Sequence, residues 1–448
     1  MSDNISNEFD DLPEESSGQL ELLEWEKDYN KKAYPVAKVF NYLVDNFDFR
    51  NNIVAMEVEY KRKDETEYVF FDDLAYRDLD QEITLKVDDI SERHLKNWIF
   101  GSKLSMKYDP IKEYLFDLPK WDSKTDWIRL FLNQIILDNE KDRATFVWAF
   151  RKWITATVGS LIQDDIVNQT CFVLVSAQGR YKTTFLNSLV PKKYQLDYLY
   201  SSTFIAHNKD HEKYLFTKWL INLDEMQAFN RSDIESIKSK ITQDRIAIRL
   251  PYAKADTKAW RKASFCGSVN KDKFLNDATG TRRFLPFKID DIKIDQSFNI
   301  GNIYAQALEL FRTKKFEGTE FLHYFNREDI ERLELHNDRY KDRQFEEELL
   351  LLHFVTPTKE QLDNKSNAIE YWNATQIMDW LFKKYENYNK NNTVRRNIGV
   401  TLQANGFTQV KKKVNGKPRD VYPVILVVNP EITNEDGSVM AEQFEHVF

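Results

Sequence analysis

The chain has few of the residues that build metal and disulfide sites. Its 448 residues include two cysteines, Cys171 and Cys266, and seven histidines. No Cys/His spacing forms a zinc pattern. Both cysteines fall in apolar runs, where a thiol reads as a small core residue in a reducing compartment. No apolar run reaches about 18 residues, so no membrane span is expected. The N-terminal stretch lacks a basic segment followed by an apolar one, so no secretory leader is expected and the expected location is cytoplasmic. Basic residues are missing from both ends. Residues 1–26 hold nine acids and residues 429–448 hold five, with no Lys or Arg in either. Both read as acidic tails, with the first twenty residues disordered. The formal charge of −8 therefore comes from the ends, since residues 27–428 carry 58 acids against 64 bases. The content of 42% apolar and 14% aromatic residues excludes a disordered chain, and this length suggests two or three domains.

Against that background, residues 171–225 stand out. Cys171-Phe172-Val173-Leu174-Val175 is an unbroken apolar run, which reads as a strand buried on both faces. Ser176-Ala177-Gln178-Gly179-Arg180-Tyr181-Lys182-Thr183-Thr184 follows, then a helix start with Phe185, Leu186 and Leu189 on one side. Strand, tight loop, Lys-Thr and helix is the layout of a phosphate-binding P-loop, in which backbone N–H groups face the phosphates. Residues 178–184 are the candidate nucleotide contacts: Gln178, Gly179, Arg180, Tyr181, Lys182, Thr183 and Thr184. Lys182 would reach the β/γ-phosphates of ATP, and the Thr183 hydroxyl would hold Mg²⁺. Ser176 and Tyr181 stand where such loops carry their outer glycines, and only Gly179 remains. A strand-turn-helix with an incidental Lys-Thr is the alternative. Trp219-Leu220-Ile221-Asn222-Leu223-Asp224-Glu225 begins 37 residues after Lys182 and ends in two carboxylates. It reads as a Walker-B strand, Asp224 supporting Mg²⁺ and Glu225 polarising the attacking water.

Two more elements follow in order. Ala263 to Asn270 is a third apolar strand ending in an amide that either orients water at a γ-phosphate or forms a turn. Thr281-Arg282-Arg283-Phe284 places an arginine pair before a strand, either solvated or reaching a neighbouring subunit's nucleotide. Gln178-Gly179-x-x-Lys182-Thr183-Thr184-Phe185, Leu220 to Glu225, Ala263-Ser264-Phe265-x-Gly267-Ser268-Val269-Asn270 and Phe274 to Phe284 together resemble the virulence-associated E family. So do Tyr108-Asp109-Pro110-x-Lys112-Glu113-Tyr114 and Trp121-Asp122. Those proteins are P-loop ATPases related to superfamily 3 helicases of phages, satellites and other mobile elements. The resemblance spans roughly residues 90–290 and departs at Tyr181, where the family carries Gly. It implies an α/β fold, ATP and Mg²⁺, a homo-oligomeric ring (a hexamer), and DNA translocation. It also implies catalytic roles for Glu225, Lys182, Asn270, Arg282 and Arg283.

The remaining chain supplies candidate DNA contacts. Asp244 to Lys262 holds Arg245, Arg249, Tyr252, Lys254, Lys258, Trp260 and Arg261, and Ile246 and Ile248 alternate with polar or small neighbours. It reads as a hairpin arm, which in superfamily 3 helicases points into the DNA channel. Arg245, Arg249, Tyr252, Lys254 and Arg261 are the expected contacts, and a solvated edge hairpin is the alternative. Further on, a helix with Thr375 as its cap is followed by a second one bearing Arg395 and Arg396. Two strand-like runs then flank Asn415-Gly416, a two-residue hairpin signal. This is a winged-helix layout with Lys411, Lys412, Lys413 and Lys417 on its wing. Before the core, Asn52–Tyr60 and Glu67–Phe71 read as a hairpin, and Ser123 as a helix cap with Asp126 completing a capping box. Phe146, Phe150 and Trp153 read as core.

The domain plan is an acidic tail (1–26), a mainly helical α+β collar region (27–160), a P-loop ATPase core with a parallel sheet (161–320), a connector and linker (321–368), a winged-helix-like domain (369–428) and a second acidic tail (429–448). The expected function is a DNA-dependent ATPase and helicase acting in replication of a mobile element on single- or double-stranded DNA. A primase or other replication partner would be a separate protein, since no primase or nuclease constellation is present. The rival is a non-hydrolysing DNA-binding scaffold or regulatory switch on a degenerate loop.

Overall fold

The computed structural model describes residues 35–427, apart from 102, 207, 225, 227–230, 250–255, 276–280, 342–344, 365–366, 385–397, 404 and 415–416. It separates into two units, Met1–Tyr114 and Leu115–Phe448.

In the first unit, β1 (Phe47–Asn52), β2 (Glu57–Arg62), β3 (Val69–Phe70) and β4 (Ser105–Tyr108) form a sheet in the order β3-β2-β1-β4. The expected hairpin is β2 with β3, Tyr60 pairing antiparallel with Val69 and Glu59 with Phe70, its first strand starting later than Asn52, and β1 adds a second antiparallel pairing with β2. Phe49 and Tyr60 stack on the inner side, Phe71 meets both edge to face, and Phe47 lies beside them, all against Leu79, Ile83, Leu95 and Ile99 from the two following helices.

The second unit is built on a six-stranded sheet. Its strands are β5 (Ile135–Leu137), β6 (Cys171–Val175), β7 (Leu199–Ser202), β8 (Leu220–Leu223), β11 (Ser264–Val269) and β12 (Phe284–Ile292), in the order β5-β12-β6-β11-β8-β7. Five of the six run parallel, and β5 pairs antiparallel at one edge. All residues of β6, β8 and β11 are buried, because both faces are covered by helices. Alternation sorts them. Cys171, Val173 and Val175 face Leu215, Ile234, Ile237 and Ile241, while Phe172 packs on Phe146, Phe150 and Trp153 of the helix Arg143–Ile162. Those three aromatics are core, as their spacing indicated. Gly267 is needed for a close approach: a Cβ there would stand 2.8 Å from the Leu223 carbonyl.

Two caps differ from expectation. Asp126, not Ser123, caps Trp127–Leu132 by accepting from the Arg129 N–H, and Ser123 has φ of 57°. Asn373, not Thr375, accepts from the Gln376 N–H at the start of Ala374–Lys384. In both, the nearer Asx side chain reaches the free amide first. The segment expected to be an irregular linker contains a short helix, Lys359–Asp363, closed by a Thr358–Gln361 capping box. β13 (Lys315–Phe316) and β14 (Thr319–Glu320) form a short antiparallel hairpin, and near the C-terminus β15 (Phe354–Val355), β16 (Ile369–Trp372) and β17 (Val410–Val414) all pair with β18 (Lys417–Leu426). Val414 pairs with Lys417, so two residues connect these strands; Asn415 and Gly416 themselves lie outside the described residues. Both cysteines are free and buried. Among the described residues no helix is long and apolar enough to cross a membrane.

Desolvated histidines should make this unit acid-sensitive. Burial pushes His323 down to about 4, with Lys314 and Lys152 adding to it. The folded value lies below the unfolded one of 6.5, so the unfolded chain takes up the proton first and stability falls as pH drops from 6.5 towards 4. His323→Gln should flatten the fall in melting temperature across that window. An unchanged slope would assign the effect to other groups.

Candidate functional site

The site forms where β6, β8 and β11 end side by side. Val175 pairs with Val269, and Leu223 with Gly267, so the residues just beyond these strands are neighbours. The loop after β6 carries Gly179 with φ of 84° and Tyr181 with φ of 55°. A Cβ at Gly179 would meet nothing, so backbone conformation rather than space calls for glycine there. Tyr181 holds the left-handed conformation without that freedom, and its side chain is 62% exposed. This costs about 1–2 kcal/mol. Tyr181→Gly should therefore raise the stability of the ligand-free protein by about 1 kcal/mol after the unfolded-state entropy of glycine is counted. Chemical denaturation checks this, and a loss of stability would mean the ring has a partner that holds it.

Lys182 opens the helix Lys182–Asn187 and is only 6% exposed. Its Nζ donates to the Ser176 carbonyl at 2.7 Å, the Ser176 Oγ at 3.1 Å, the Ala177 carbonyl at 2.9 Å and Asn270 Oδ1 at 3.0 Å. Burial lowers its pKa and the nearby Asp224 opposes that shift. The ammonium is thus a desolvated charge held inside its own loop. Thr183 Oγ donates to Asp224 Oδ1 at 3.0 Å, and Ser268 Oγ donates to the same oxygen at 2.8 Å. The structure therefore brings Lys182, Thr183, Asp224 and Asn270 together. Gln178, Gly179, Arg180 and Thr184 lie exposed around them, with Arg180 3.8 Å from Asp291. Glu225 lies outside the described residues.

Ser268 is a member of the site that the motif reading overlooked. It stands on β11 two residues before Asn270, which directly follows that strand, and the period of two points both to the same side, which is the signal that would have found it. Asn222, fully buried in β8, donates to Asn187 Oδ1 at 2.8 Å and so ties the strand to the far end of the loop helix.

The donor set suits a small hard cation. A hydroxyl and a single carboxylate oxygen converge, which is how Mg²⁺ is held when phosphate oxygens complete its shell. Among the described residues no cluster of three His, Cys, Asp or Glu side chains is available as a self-sufficient metal site.

Other predicted residues lie elsewhere. Thr281–Arg283 is a single turn leading into β12. Phe284 pairs with Cys171, so Arg282 and Arg283 lie at the opposite end of the sheet from Lys182, a strand length of about 16 Å. β9 (Arg245–Ile248) and β10 (Thr257–Trp260) form the expected antiparallel hairpin, with Trp260 opposite Arg245. Ile246 and Ile248 face the core, while Arg245 and Lys258 are exposed and the Arg245 guanidinium lies 4.5 Å from the Trp260 ring centroid. Arg249 is also exposed, and Tyr252 and Lys254 lie outside the described residues.

Arg261 corrects the reading of this hairpin. It is 1% exposed and cannot contact DNA. Its guanidinium donates to the carbonyls of Gln243 at 2.8 Å, Ala263 at 2.5 Å, Asn168 at 2.8 Å and Ile241 at 2.7 Å. Ile241 and Gln243 lie at the C-terminal end of the helix Arg231–Thr242, where backbone carbonyls lack partners in the helix itself. Arg261 therefore fixes the base of the hairpin to that helix and to the start of the sheet. At the C-terminus, Lys411, Lys412 and Lys413 are exposed on β17, with Lys412 Nζ 3.2 Å from the Tyr371 ring centroid. Lys417 begins β18, and Arg395 and Arg396 lie outside the described residues.

A family model described as the virulence-associated protein E-like domain matches residues 115–342. No curated protein matches the chain. Among solved structures, an apo structure of the NrS-1 C-terminal region, residues 305–718, aligns with 14% identity and a TM-score of 0.44, covering 88% of this chain and 99% of that one. An A-form apo structure of the same region aligns with 15% identity and a TM-score of 0.44, covering 88% and 100%.

Proposed function

This chain belongs to the virulence-associated protein E-like domain family, and on that premise we propose that it is a DNA-dependent ATPase serving replication of a phage or other mobile element. The observation that carries the reading is the convergence of Lys182, Thr183, Asp224 and Asn270 at the ends of three parallel strands. The strand-loop-helix around Lys182 is read as a P-loop. On nucleotide binding, Lys182 exchanges loop carbonyls for phosphate oxygens, so its desolvation is met by a charged partner. Thr183 and Asp224 would hold Mg²⁺, which neutralises phosphate charge when bound. Asn270, already hydrogen-bonded to Lys182, lies where it can report a γ-phosphate. Glu225, next to Asp224, is the proposed base for water.

Arg282 is exposed and lies at the opposite end of the sheet from its own Lys182, an arrangement that suits action on a neighbouring subunit's nucleotide. A ring, proposed as hexameric, supplies that neighbour. The face of the β9–β10 hairpin that pairs Arg245 and Trp260 suits single-stranded DNA, with cations on phosphates and the ring on a base. The C-terminal helix and β17–β18 hairpin are read as a winged helix, with Lys411 to Lys413 as its basic wing. Replacing Arg245 and Lys258 together with Glu should weaken binding of a single-stranded oligonucleotide at least tenfold and reduce its salt dependence. Unchanged affinity would remove the hairpin from the DNA path.

A second reading rests on Tyr181. A non-hydrolysing scaffold would tolerate a bulky residue where the loop must approach phosphates, and it would bind DNA without nucleotide turnover.

A further inference from the structure

Arg282 and Arg283 border a cavity at the end of the sheet remote from the Lys182 loop. It measures about 390 Å³, and Asn168, Thr170, His323 and Tyr324 are among its other lining residues. That volume falls within the range of small-ligand sites and suits a mononucleotide.

The charges in the cavity are unbalanced. Among the described residues neither guanidinium has an ion pair or hydrogen bond, and Arg283 Nε is buried without an acceptor. Other buried cations in this unit have charged or carbonyl partners: Lys152 meets Asp329 and two carbonyls, Arg261 meets four carbonyls, and Arg151, whose Nε also lacks an acceptor, pairs with Asp126. The carboxylate on the wall, Asp165, already accepts from Gln163 Nε2 at 2.8 Å. Asn168 and Thr170 spend their donors on protein acceptors. What remains for a ligand is a pair of forked donors with positive charge, the geometry that suits phosphate. Beside them stand two rings, His323 and the half-exposed Tyr324, with centroids 5.4 Å apart.

We propose that this cavity is a second ligand site, taking a nucleoside phosphate with Arg283 on the phosphate, the exposed Arg282 at its rim and Tyr324 against the base. It goes beyond the ATPase reading, because the ligand belongs to the same chain as the arginines and not to a neighbour's phosphate loop. Two sources share that chemistry, a free nucleotide and one residue of a DNA strand.

Calorimetric titration of the full-length Lys182→Ala protein tests the site, with ADP in one arm and a short oligothymidylate in the other. The substitution removes the loop cation from every subunit, so surviving binding cannot be contact in trans with a loaded loop. One nucleoside phosphate per chain should still bind. Adding Arg283→Gln should weaken it at least tenfold, and Arg283→Lys should recover part of that loss. Tyr324→Ala, at a half-exposed position with little risk to folding, should weaken it at least threefold. Saturation by ADP identifies a free nucleotide as the source, and binding by the oligonucleotide alone identifies a strand. Absence of binding in both arms, or binding that neither Arg283→Gln nor Tyr324→Ala alters, would overturn the proposal. The ATPase reading fails separately: a wild-type protein without Mg²⁺-dependent turnover that still binds ADP through Arg283 loses the motor and keeps this site.

Discussion

Lys182→Ala should lower Mg²⁺-dependent ATP turnover at least 100-fold, the scale seen when one preorganised charge or donor is removed from a transition state. The size of the effect follows from burial. The ammonium is enclosed by Ser176, Ala177 and Asn270, so its field at a phosphate is poorly screened by water. The same burial predicts that folding will not suffer. Desolvation already depresses the Lys182 pKa, and its acceptors at Ala177 and Asn270 are only part-buried, so water can replace the ammonium there and little net stability is lost. Lys182→Met, which keeps the stem, should change unfolding free energy by less than about 1 kcal/mol while turnover is lost. Comparing chemical denaturation with steady-state turnover separates the two. Parallel losses would make Lys182 a structural residue.

Arg261→Ala should destabilise the second unit by about 3–5 kcal/mol, because it leaves four buried carbonyls without their donor. Arg261→Lys keeps the charge but not the fork, and should lose roughly half as much. Thermal unfolding of both variants measures this. The hairpin gives a second readout. With its base released from Ile241 and Gln243, β9 and β10 should exchange their amide hydrogens faster than β6 and β11 do. Equal protection in variant and wild type would mean that strand pairing alone holds the hairpin.

The contrast between these two residues shows what the sequence could reveal. Lys182 was legible because its partners follow in short order: a loop, a helix start and two strands whose apolar runs are unbroken. β6, β8 and β11 are buried on both faces, and continuous Val, Leu, Ile and Phe leave few other readings. Arg261 was not legible. It lies among Arg245, Arg249, Lys254 and Lys258, in a segment whose composition resembles a solvated face. Its acceptors come from residues 168, 241, 243 and 263, which only the fold brings together. The Ser123 cap misled for a local reason, since Ser-x-x-Asp satisfies the motif while Asp126 offers the better acceptor one turn later. The cavity beside Arg283 was hidden for the same reason as Arg261. Its walls come from residues 165–170 and 323–325, and no spacing rule links those segments. Ser268 lay between these cases, visible from strand alternation once Asn270 had been placed.

Tyr181 is where the family pattern and this chain part. The structure gives it a left-handed backbone and an exposed ring, so the loop adopts its shape at a cost instead of abandoning it. Whether that loop supports chemistry decides between a motor and a scaffold. The most direct measurement is the steady-state rate of Mg²⁺-dependent ATP hydrolysis by the wild-type protein, with and without single-stranded DNA, beside Glu225→Gln. We expect turnover that DNA stimulates and that Glu225→Gln abolishes. No turnover in either condition, with DNA binding intact, would contradict the motor and leave a DNA-binding scaffold on an inactive nucleotide fold.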